Sequence, residues 1–288
     1  MRVLGVGIAT LDIVNRVAAY PAEDAEVRAL SQQRRRGGNA TNTLVVLAQL
    51  GHTCDWAGVL PDEPDTALVL ADLARHGVGI DRCVRRHGGK LPTSYITLSE
   101  ATGSRTIVHY RDLPEFSAAA FAGIPLSGYD WVHFEGRDVG ELERMLLHLR
   151  AVDGPPCSLE VEKPRPGIER LFPLADMLLF SRHYAQARGY ATAADLLADV
   201  PLAPRGTCCA WGEAGAWARD VDGWIHHSPA RPPPQLVDTL GAGDVFNAAV
   251  IDASLRGLPW QACVDAGCRL AGRKCGQSGL EDLGGAPA

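Results

Sequence analysis

The sequence has little positive charge and no long hydrophobic run. Acidic residues outnumber basic ones by 34 to 28, and the formal net charge is −6. The only basic cluster is Arg34–Arg36. A chain without a wider basic face gives no reason to expect nucleic-acid binding or an anionic membrane partner. No apolar stretch approaches the ~20 residues that span a bilayer. The N-terminus shows no signal-peptide cleavage pattern, so we expect a cytoplasmic protein.

The eight cysteines lack a metal-binding spacing. They lie at positions 54, 83, 157, 208, 209, 263, 268 and 275, and no pair forms Cys-x-x-Cys. This pattern argues against a zinc site. Reduced, mostly buried thiols in a cytoplasmic protein are the simpler interpretation.

Short apolar runs alternate with helical patterns along the chain. The first run, residues 2–12, predicts a strand, and residues 39–51 predict a helix that ends at Gly51. Such alternation is typical of a mostly parallel sheet with helices on both faces. We find no internal repeat, and we expect the tail 281–288 to be disordered.

Two segments, 13–33 and 90–114, interrupt this alternation. From Tyr95 to Leu98 the second segment alternates between two faces, and it then turns at Thr102–Gly103, which indicates a hairpin. We therefore predict a small β-sheet lid made of these two insertions. The remaining α/β body then comprises residues 1–12, 34–89 and 115–288.

The first candidate site is the end of the first predicted strand. Gly5-x-Gly7 suggests a dinucleotide fingerprint, but its third position is Thr10 and the chain continues as strand, which argues against a nicotinamide cofactor. Asp12 ends this predicted strand, where α/β folds place ligand groups. A turn aspartate is the alternative.

The second candidate is the segment that opens the first helix. Gly37–Gly38 allows a ligand to approach the backbone closely. Asn39 and Asn42 are three residues apart on a helix, so their amides face one side. Asn39 alone would suit a helix cap. With Asp12, the two amides would match the donors and acceptors of a polyol.

The third candidate is "DTLGAGDVFNAAV", residues 238–250. Gly241, Ala242 and Gly243 leave the first N–H groups of the following helix open to an anion. Asp244 would be either a local cap or a base that takes the proton of an attacking hydroxyl beside a bound phosphate.

Two motifs together resemble the ribokinase-like (PfkB) carbohydrate kinases. "DTLGAGD" resembles the C-terminal signature of that family, and "GGNATNT" resembles its N-terminal signature about 200 residues earlier. "VEKPR" and "HFEGR" resemble the branch that acts on ketohexoses. The resemblance implies a three-layer α/β/α sandwich with a small β lid. It also implies ATP-dependent phosphorylation of a ketohexose such as D-fructose at its 1-hydroxyl.

The resemblance also implies a role for individual residues. Asp244 would be the general base. The phosphates would be bound by Gly241, Ala242, Gly243 and Arg105. The sugar would be bound by Asp12, Gly38, Asn39, Asn42, Asp244 and, from a neighbouring subunit, Asp24. The nucleotide would be bound by Gly212, Glu213, Ala214, Gly215 and Cys268. The magnesium and phosphate environment would include Glu162 and Lys163.

ATP, Mg²⁺ and K⁺ are the cofactors implied by the resemblance, and a homodimer through the lid is the implied assembly. No direct metal ligand can be assigned; Asp238 and loop 274–279 are the candidates to frame K⁺. The family's Asn-x-x-Glu motif is absent after the strand that ends near Ser181, as in the ketohexose branch. The alternatives are a kinase of another furanose or of a nucleoside, and a non-catalytic sugar-binding regulator.

Overall fold

The computed structural model describes residues 1–285, and the α/β architecture predicted from the sequence is confirmed. The β-strands are β1 Arg2–Val6, β2 Thr10–Val17, β3 Ser31–Gly37, β4 Thr53–Ala57, β5 Val59–Pro61, β6 Val78–Gly79, β7 Val84–Arg86, β8 Thr93–Ser99, β9 Arg105–Tyr110, β10 Trp131–Glu135, β11 Cys157–Val161, β12 Met177–Ser181, β13 Thr207–Ala210, β14 Ala216–Arg219 and β15 Ile225–Ser228. The α-helices are α1 Asn39–Gln49, α2 Thr66–Arg75, α3 Ala118–Ala122, α4 Val139–Ala151, α5 Arg182–Ala187, α6 Ala193–Asp199, α7 Ala242–Leu255 and α8 Trp260–Cys275. Short 3₁₀ helices are Leu126–Gly128, Ile168–Leu174 and Gly212–Ala214.

The main sheet has nine strands in the order β15-β14-β13-β12-β11-β10-β1-β4-β6. Its strands run parallel from β13 through β6, and β14 and β15 are added at one edge by antiparallel pairing, β14 with β13 and β15 with β14. The central strands β10 and β11 are buried along their whole length. Both faces of these strands are therefore covered, as expected in a parallel sheet, and the covered positions include the polar residues His133, Glu135, Ser158 and Glu160.

Helices cover both faces of the main sheet, which makes three layers. One core lies between the sheet and α1, α2, α7 and α8, and includes Leu44, Val69, Val250 and Val264. The other core lies on the opposite face under α3, α4, α5 and α6. Helix α1 packs against α7, which brings their N-terminal ends together.

A separate small sheet has four strands in the order β3-β2-β8-β9. Strands β8 and β9 form the predicted antiparallel hairpin, and Gly103 in its turn has a φ of 66° that favours glycine. Leu11 of β2 is buried in the core of the body, so this sheet is anchored at its base. Its strands also extend past the predicted segments, to Thr10 and Gly37.

The prediction of one strand over residues 2–12 was wrong. The chain leaves the main sheet at Gly7 and enters the small sheet at Thr10. The turn passes over Glu135, whose Oε2 accepts a hydrogen bond from the Ile8 amide at 3.0 Å. A Cβ at Gly7 would lie 2.5 Å from the same oxygen. Asp12 therefore lies inside β2 of the small sheet, and its prediction as the end of the first strand is corrected.

The tail was predicted to be disordered, and for residues 281–285 this was wrong. Leu283 is only 1% exposed, and its amide donates to Gln49 Oε1 at 2.7 Å. Arg273 donates to the carbonyls of Asp282 and Gly285, both at 2.6 Å. The buried side chain of Leu283 and the hydrogen bonds from Arg273 therefore hold this segment against the body. Residues 286–288 lie outside the described part of the chain.

Among residues 1–285, no helix combines the length and the apolar composition that crossing a membrane requires.

Candidate active site

Asp244 lies in the first turn of α7, and its carboxylate is almost completely buried. Asn42 of α1 donates an amide hydrogen to Asp244 Oδ2 at 2.7 Å, and the carbonyl oxygen of the same amide accepts from Arg36 at 2.7 Å. The two predicted motifs, about 200 residues apart in sequence, are therefore in direct contact. Because the oxygen and the nitrogen of the Asn42 amide are both hydrogen-bonded, its orientation is fixed. Asp244 therefore has a fixed hydrogen-bond donor.

The environment of Asp244 disfavours its charge. Burial raises the pKa of the Asp244 carboxyl well above its ordinary value, and the nearby charges of Glu162 and Glu135 act in the same direction. The hydrogen bond from Asn42 and the charge of Arg36 oppose the shift without cancelling it. A carboxylate with a raised pKa is a stronger proton acceptor once it is ionised, which suits a general base.

The N-terminal end of α7 is open. Its N-cap is Gly241, whose φ of 82° is left-handed and whose lack of a side chain leaves the first turn uncapped. A Cβ at Gly243 would meet nothing within 4 Å. Uncapped N–H groups and the positive end of the helix dipole form a site that suits an anion such as phosphate.

Asp12 lies opposite this helix end, on the small sheet. Thr10 donates its hydroxyl to Asp12 Oδ1 at 2.8 Å. Burial raises the pKa of Asp12, while the Thr10 hydrogen bond and the charge of Arg35 oppose the shift. Asp12, Arg35, Arg36, Asn42 and Leu240 line part of a cavity of about 90 Å³. The predicted sugar-binding carboxylate therefore shares one cavity with Asn42.

Neighbouring atoms leave no room for a side chain at Gly37 or Gly38. A Cβ at Gly37 would lie 2.2 Å from Asp12 Oδ2, and one at Gly38 would lie 2.2 Å from the carbonyl oxygen of Ile8. Gly38 also has a φ of 104° and is the N-cap of α1. The glycine pair thus lets Asp12 lie against the start of the helix that carries Asn39 and Asn42.

Arg105 of β9 reaches from the small sheet to the body. Its guanidinium donates to Thr239 Oγ1 at 2.8 Å, two residues before the N-cap of α7. The small sheet therefore places a cation beside the open helix end, where Arg105 is predicted to meet phosphate.

Unlike Asn42, which contacts Asp244, Asn39 contacts a separate group of carboxylates. Its amide donates to Glu160 Oε1 at 3.1 Å and to Glu162 Oε2 at 3.3 Å. Asn247 of α7 also donates to Glu160 Oε1, at 3.2 Å. Asn39 lies in the first turn of α1 but does not cap it, because the N-cap is Gly38.

Glu135 and Glu160 also belong to this site, although neither was predicted from the sequence. Both are 5% exposed and both lie at the carboxyl ends of central parallel strands. Burial and the neighbouring charges of Asp244 and Glu135 raise the pKa of Glu160 well above its ordinary value. Glu160 Oε2 has no hydrogen-bond partner within residues 1–285. A glutamate near the carboxyl end of a predicted strand was the available signal, since ligands bind at this edge of an α/β sheet.

The predicted nucleotide loop joins β13 to β14. Gly212 and Gly215 have φ values of 63° and 94°, and a Cβ at Gly215 would lie 2.0 Å from the Ser228 carbonyl oxygen. Glu213 and Ala214 lie exposed in the short 3₁₀ helix between them. Cys268 is buried behind the same carbonyl, with its Sγ 3.6 Å from Ser228 O. Ser228 thus connects the loop to Cys268.

Two predicted residues lie away from this cluster. Asp24 lies in the exposed connection between β2 and β3, with a φ of 61°. Lys163 follows β11 and is half exposed, with its Nζ 3.5 Å from Glu162 Oε2.

A sequence model of the pfkB family carbohydrate kinases matches residues 2–283, so the chain belongs to this family of phosphotransferases that act on an alcohol group. It is a sugar kinase of that family. Ketohexokinase of Mus musculus is 37% identical over 98% of each chain, which confirms the predicted resemblance to the ketohexose branch.

Solved structures agree with the predicted ribokinase-like fold. A proposed ribokinase from Agrobacterium tumefaciens has a TM-score of 0.83 at 24% identity, covering 96% of this chain and 92% of that one. Arabidopsis thaliana ribokinase complexed with ribose and ATP has a TM-score of 0.77 at 18% identity, covering 96% and 93%. At these identities the structures establish the fold alone.

Proposed function

We propose that this chain is an ATP-dependent kinase that phosphorylates a ketohexose, such as D-fructose, at the 1-hydroxyl. The observation that carries the proposal is the buried pair of Asp244 and Asn42 at the open N-terminus of α7. A base, a fixed donor and an anion site lie together there. The 37% identity with mouse ketohexokinase supports the choice of a ketohexose.

The sugar would lie between α1 and the small sheet. Asp12 and the amides of Asn39 and Asn42 offer acceptors and donors that match a polyol, and Gly38 leaves room for its close approach. Asp244 would take the proton of the attacking hydroxyl. The hydroxyl oxygen then bonds to the γ-phosphorus, the bond from that phosphorus to the β-bridging oxygen breaks, and ADP leaves with its electron pair.

The phosphate charge would be held by the N-terminus of α7. Gly241, Ala242 and Gly243 present backbone N–H groups without an obstructing large side chain. Arg105, already 2.8 Å from Thr239, would bring a guanidinium to the same phosphates. The nucleotide base would lie along Gly212, Glu213, Ala214 and Gly215, with Cys268 behind the loop.

The carboxylates of Glu160 and Glu162 fit a hydrated Mg²⁺. Oxygen donors suit this hard cation, and Glu160 Oε2 is buried without a partner within residues 1–285. Glu162 and Lys163 would form the outer part of this environment. Bound Mg²⁺ would neutralise charge on the nucleotide phosphates. K⁺ has no comparable fit beside Asp238, since the oxygen atoms there already surround Lys274 Nζ.

The small sheet would serve as a lid and as the dimer interface. Strands β8 and β9 expose the large apolar side chains of Tyr95, Val108 and Tyr110 on one face of this sheet. A second copy would cover this face and bring Asp24 of the partner subunit to the sugar. We also propose a cytoplasmic location, where the eight free cysteines would stay reduced.

The subunit exchange of Asp24 can be tested by mixing two inactive variants. Asp24→Ala and Asp244→Asn would each lose activity alone. In a mixed dimer, one site would combine a wild-type Asp244 with Asp24 of the partner subunit, so mixing should restore part of the activity. No recovery in a verified mixed dimer would contradict the exchange.

A second candidate is a kinase of another furanose or of a nucleoside. The same fold carries kinases of other substrates, among them the ribose-bound Arabidopsis enzyme and the adenosine kinase of Sinorhizobium meliloti, so the fold is compatible with this candidate. A non-catalytic sugar-binding regulator would have no use for the buried base Asp244. ADP release measured across fructose, other ketoses, ribose and adenosine distinguishes these candidates. Fructose should give the highest kcat/KM; a higher value for ribose or adenosine would select the second candidate.

A further inference from the structure

Lys274 is completely buried near the C-terminal end of α8, with 0% of its surface exposed. Lysine is almost never fully buried unless its charge is paired, because removing an ammonium from water costs several kcal/mol. Burial lowers the pKa of Lys274, although the charge of Asp238 opposes the shift. A buried cation at such a cost needs a structural or functional reason.

Oxygen atoms surround the Lys274 ammonium. It donates to the Asp238 carbonyl oxygen at 2.9 Å and to the Gln277 carbonyl oxygen at 3.3 Å, and Asp238 Oδ2 lies 3.2 Å away. These partners match the three donors of an ammonium group. Two carbonyls and a carboxylate are also the ligands that a bare monovalent cation would accept.

These contacts join two loops in front of α7. Asp238 accepts hydrogen bonds from the amide of Leu240 at 2.9 Å and from that of Gly279 at 3.4 Å. Its carboxylate also pairs with Arg35 at 2.9 Å. The Lys274 ammonium therefore holds Asp238 at the start of the loop 238–241. This loop ends at Gly241, the N-cap of α7.

We propose that Lys274 is a built-in cation that positions the loop 238–241 for phosphate binding, so that no bound monovalent cation is needed there. Lys274 is a positioning residue, since it lies behind the loop and acts through Asp238. The kinetic part of this inference rests on the proposed sugar-kinase function. The structural part does not rest on that function. It states that the Lys274 ammonium fills an oxygen cage, formed by the carbonyls of Asp238 and Gln277 and the carboxylate of Asp238, that a free cation could otherwise fill.

The test compares salts of matched ionic strength. Wild-type turnover with MgATP and fructose should be the same in potassium, sodium and tetramethylammonium chloride. In Lys274→Ala, turnover in tetramethylammonium should fall at least about tenfold. A tenfold loss corresponds to about 1.4 kcal/mol of free energy. Ammonium or potassium ions, which can enter the vacated cage, should restore a large part of it. Lys274→Met fills the space without a charge, so it should stay impaired in every salt.

Arg273→Ala is the matched control. Arg273 is the neighbouring cation on α8, but it contacts the carbonyls of Asp282 and Gly285 instead of the loop before α7. Its removal should leave the kinetics insensitive to the choice of salt. A salt-dependent rescue in this variant would show that the effect is not specific to the Lys274 cage.

Thermal unfolding provides a readout that needs no kinase activity. Ammonium and potassium should raise the Tm of Lys274→Ala relative to tetramethylammonium, and should leave the Tm of the wild type unchanged. A wild type that requires potassium for turnover would overturn the proposal, even if every variant failed to fold. So would a Lys274→Ala variant that folds and shows no cation effect on either turnover or Tm. If no sugar is phosphorylated, the Tm comparison still decides the structural part.

Discussion

Asp244→Asn should abolish phosphoryl transfer while leaving the fold and most of the sugar binding intact. The asparagine carbonyl can accept the same 2.7 Å hydrogen bond from Asn42, so the contact between α1 and α7 survives. What is lost is the proton acceptor. General-base catalysis contributes about 10²–10⁴-fold in rate, which corresponds to about 3–5 kcal/mol of transition-state free energy. We therefore expect kcat to fall by this factor with little change in sugar affinity.

The assay is ADP release with saturating MgATP and fructose, together with calorimetric titration of the sugar. Asp252→Asn is the matched control, because Asp252 lies on the same helix and pairs with His52 and Arg256 at its far end. The control should lose stability but retain kcat. Near wild-type turnover in Asp244→Asn would refute the assignment of Asp244 as the base.

The same substitution has a distinct effect on stability. The native pKa of Asp244 is raised, so above the ordinary aspartate range the native state binds more protons than the unfolded chain does. Wild-type stability therefore loses this contribution as pH rises, whereas Asp244→Asn does not. The variant should gain stability relative to wild type between acid and neutral pH. A constant difference in the free energy of unfolding across this range would contradict the raised pKa.

Other predictions concern the acid limb, the sugar and the phosphates. The acid limb of kcat/KM should lie above the ordinary aspartate range, and Glu162→Gln should move it to lower pH, because Glu162 raises the pKa of Asp244; a pH profile unaffected by that change would argue against this coupling. Asp12→Ala should raise KM for the sugar far more than KM for ATP, and equal increases in steady-state titrations would count against a sugar role. Arg105→Ala should raise KM for ATP and lower kcat, since it removes the only guanidinium on Thr239 within residues 1–285; unchanged ATP kinetics would exclude Arg105 from the phosphate site.

The sequence predicted the parts of the site that local physics determines. Glycine-rich turns and helix starts have signatures of their own, so Gly38, Asn42 and the segment 241–244 could be recognised before their positions were known. Their convergence followed from the family resemblance and from the order of motifs. Contact between Asn42 and Asp244 then depends on the packing of α1 against α7, which no local pattern encodes.

The remaining features depend on partners distant in sequence. The break between β1 and β2 depends on Glu135, which lies 127 residues after Ile8. Burial of the tail depends on Leu283 docking beside Gln49, and the cage of Lys274 depends on a loop 36 residues earlier in the chain. Local composition shows only that these segments contain glycine and charged residues. It does not reveal the tertiary contacts that order them.

The most direct test of the proposed function is the position of the transferred phosphate. The chain would be incubated with MgATP and fructose labelled with ¹³C at carbon 1, and the product examined by ³¹P and ¹³C NMR. The account predicts a sugar phosphate whose phosphorus couples to the labelled carbon, with formation lost in Asp244→Asn. A product whose phosphorus does not couple to carbon 1, or undiminished formation by the variant, would contradict it.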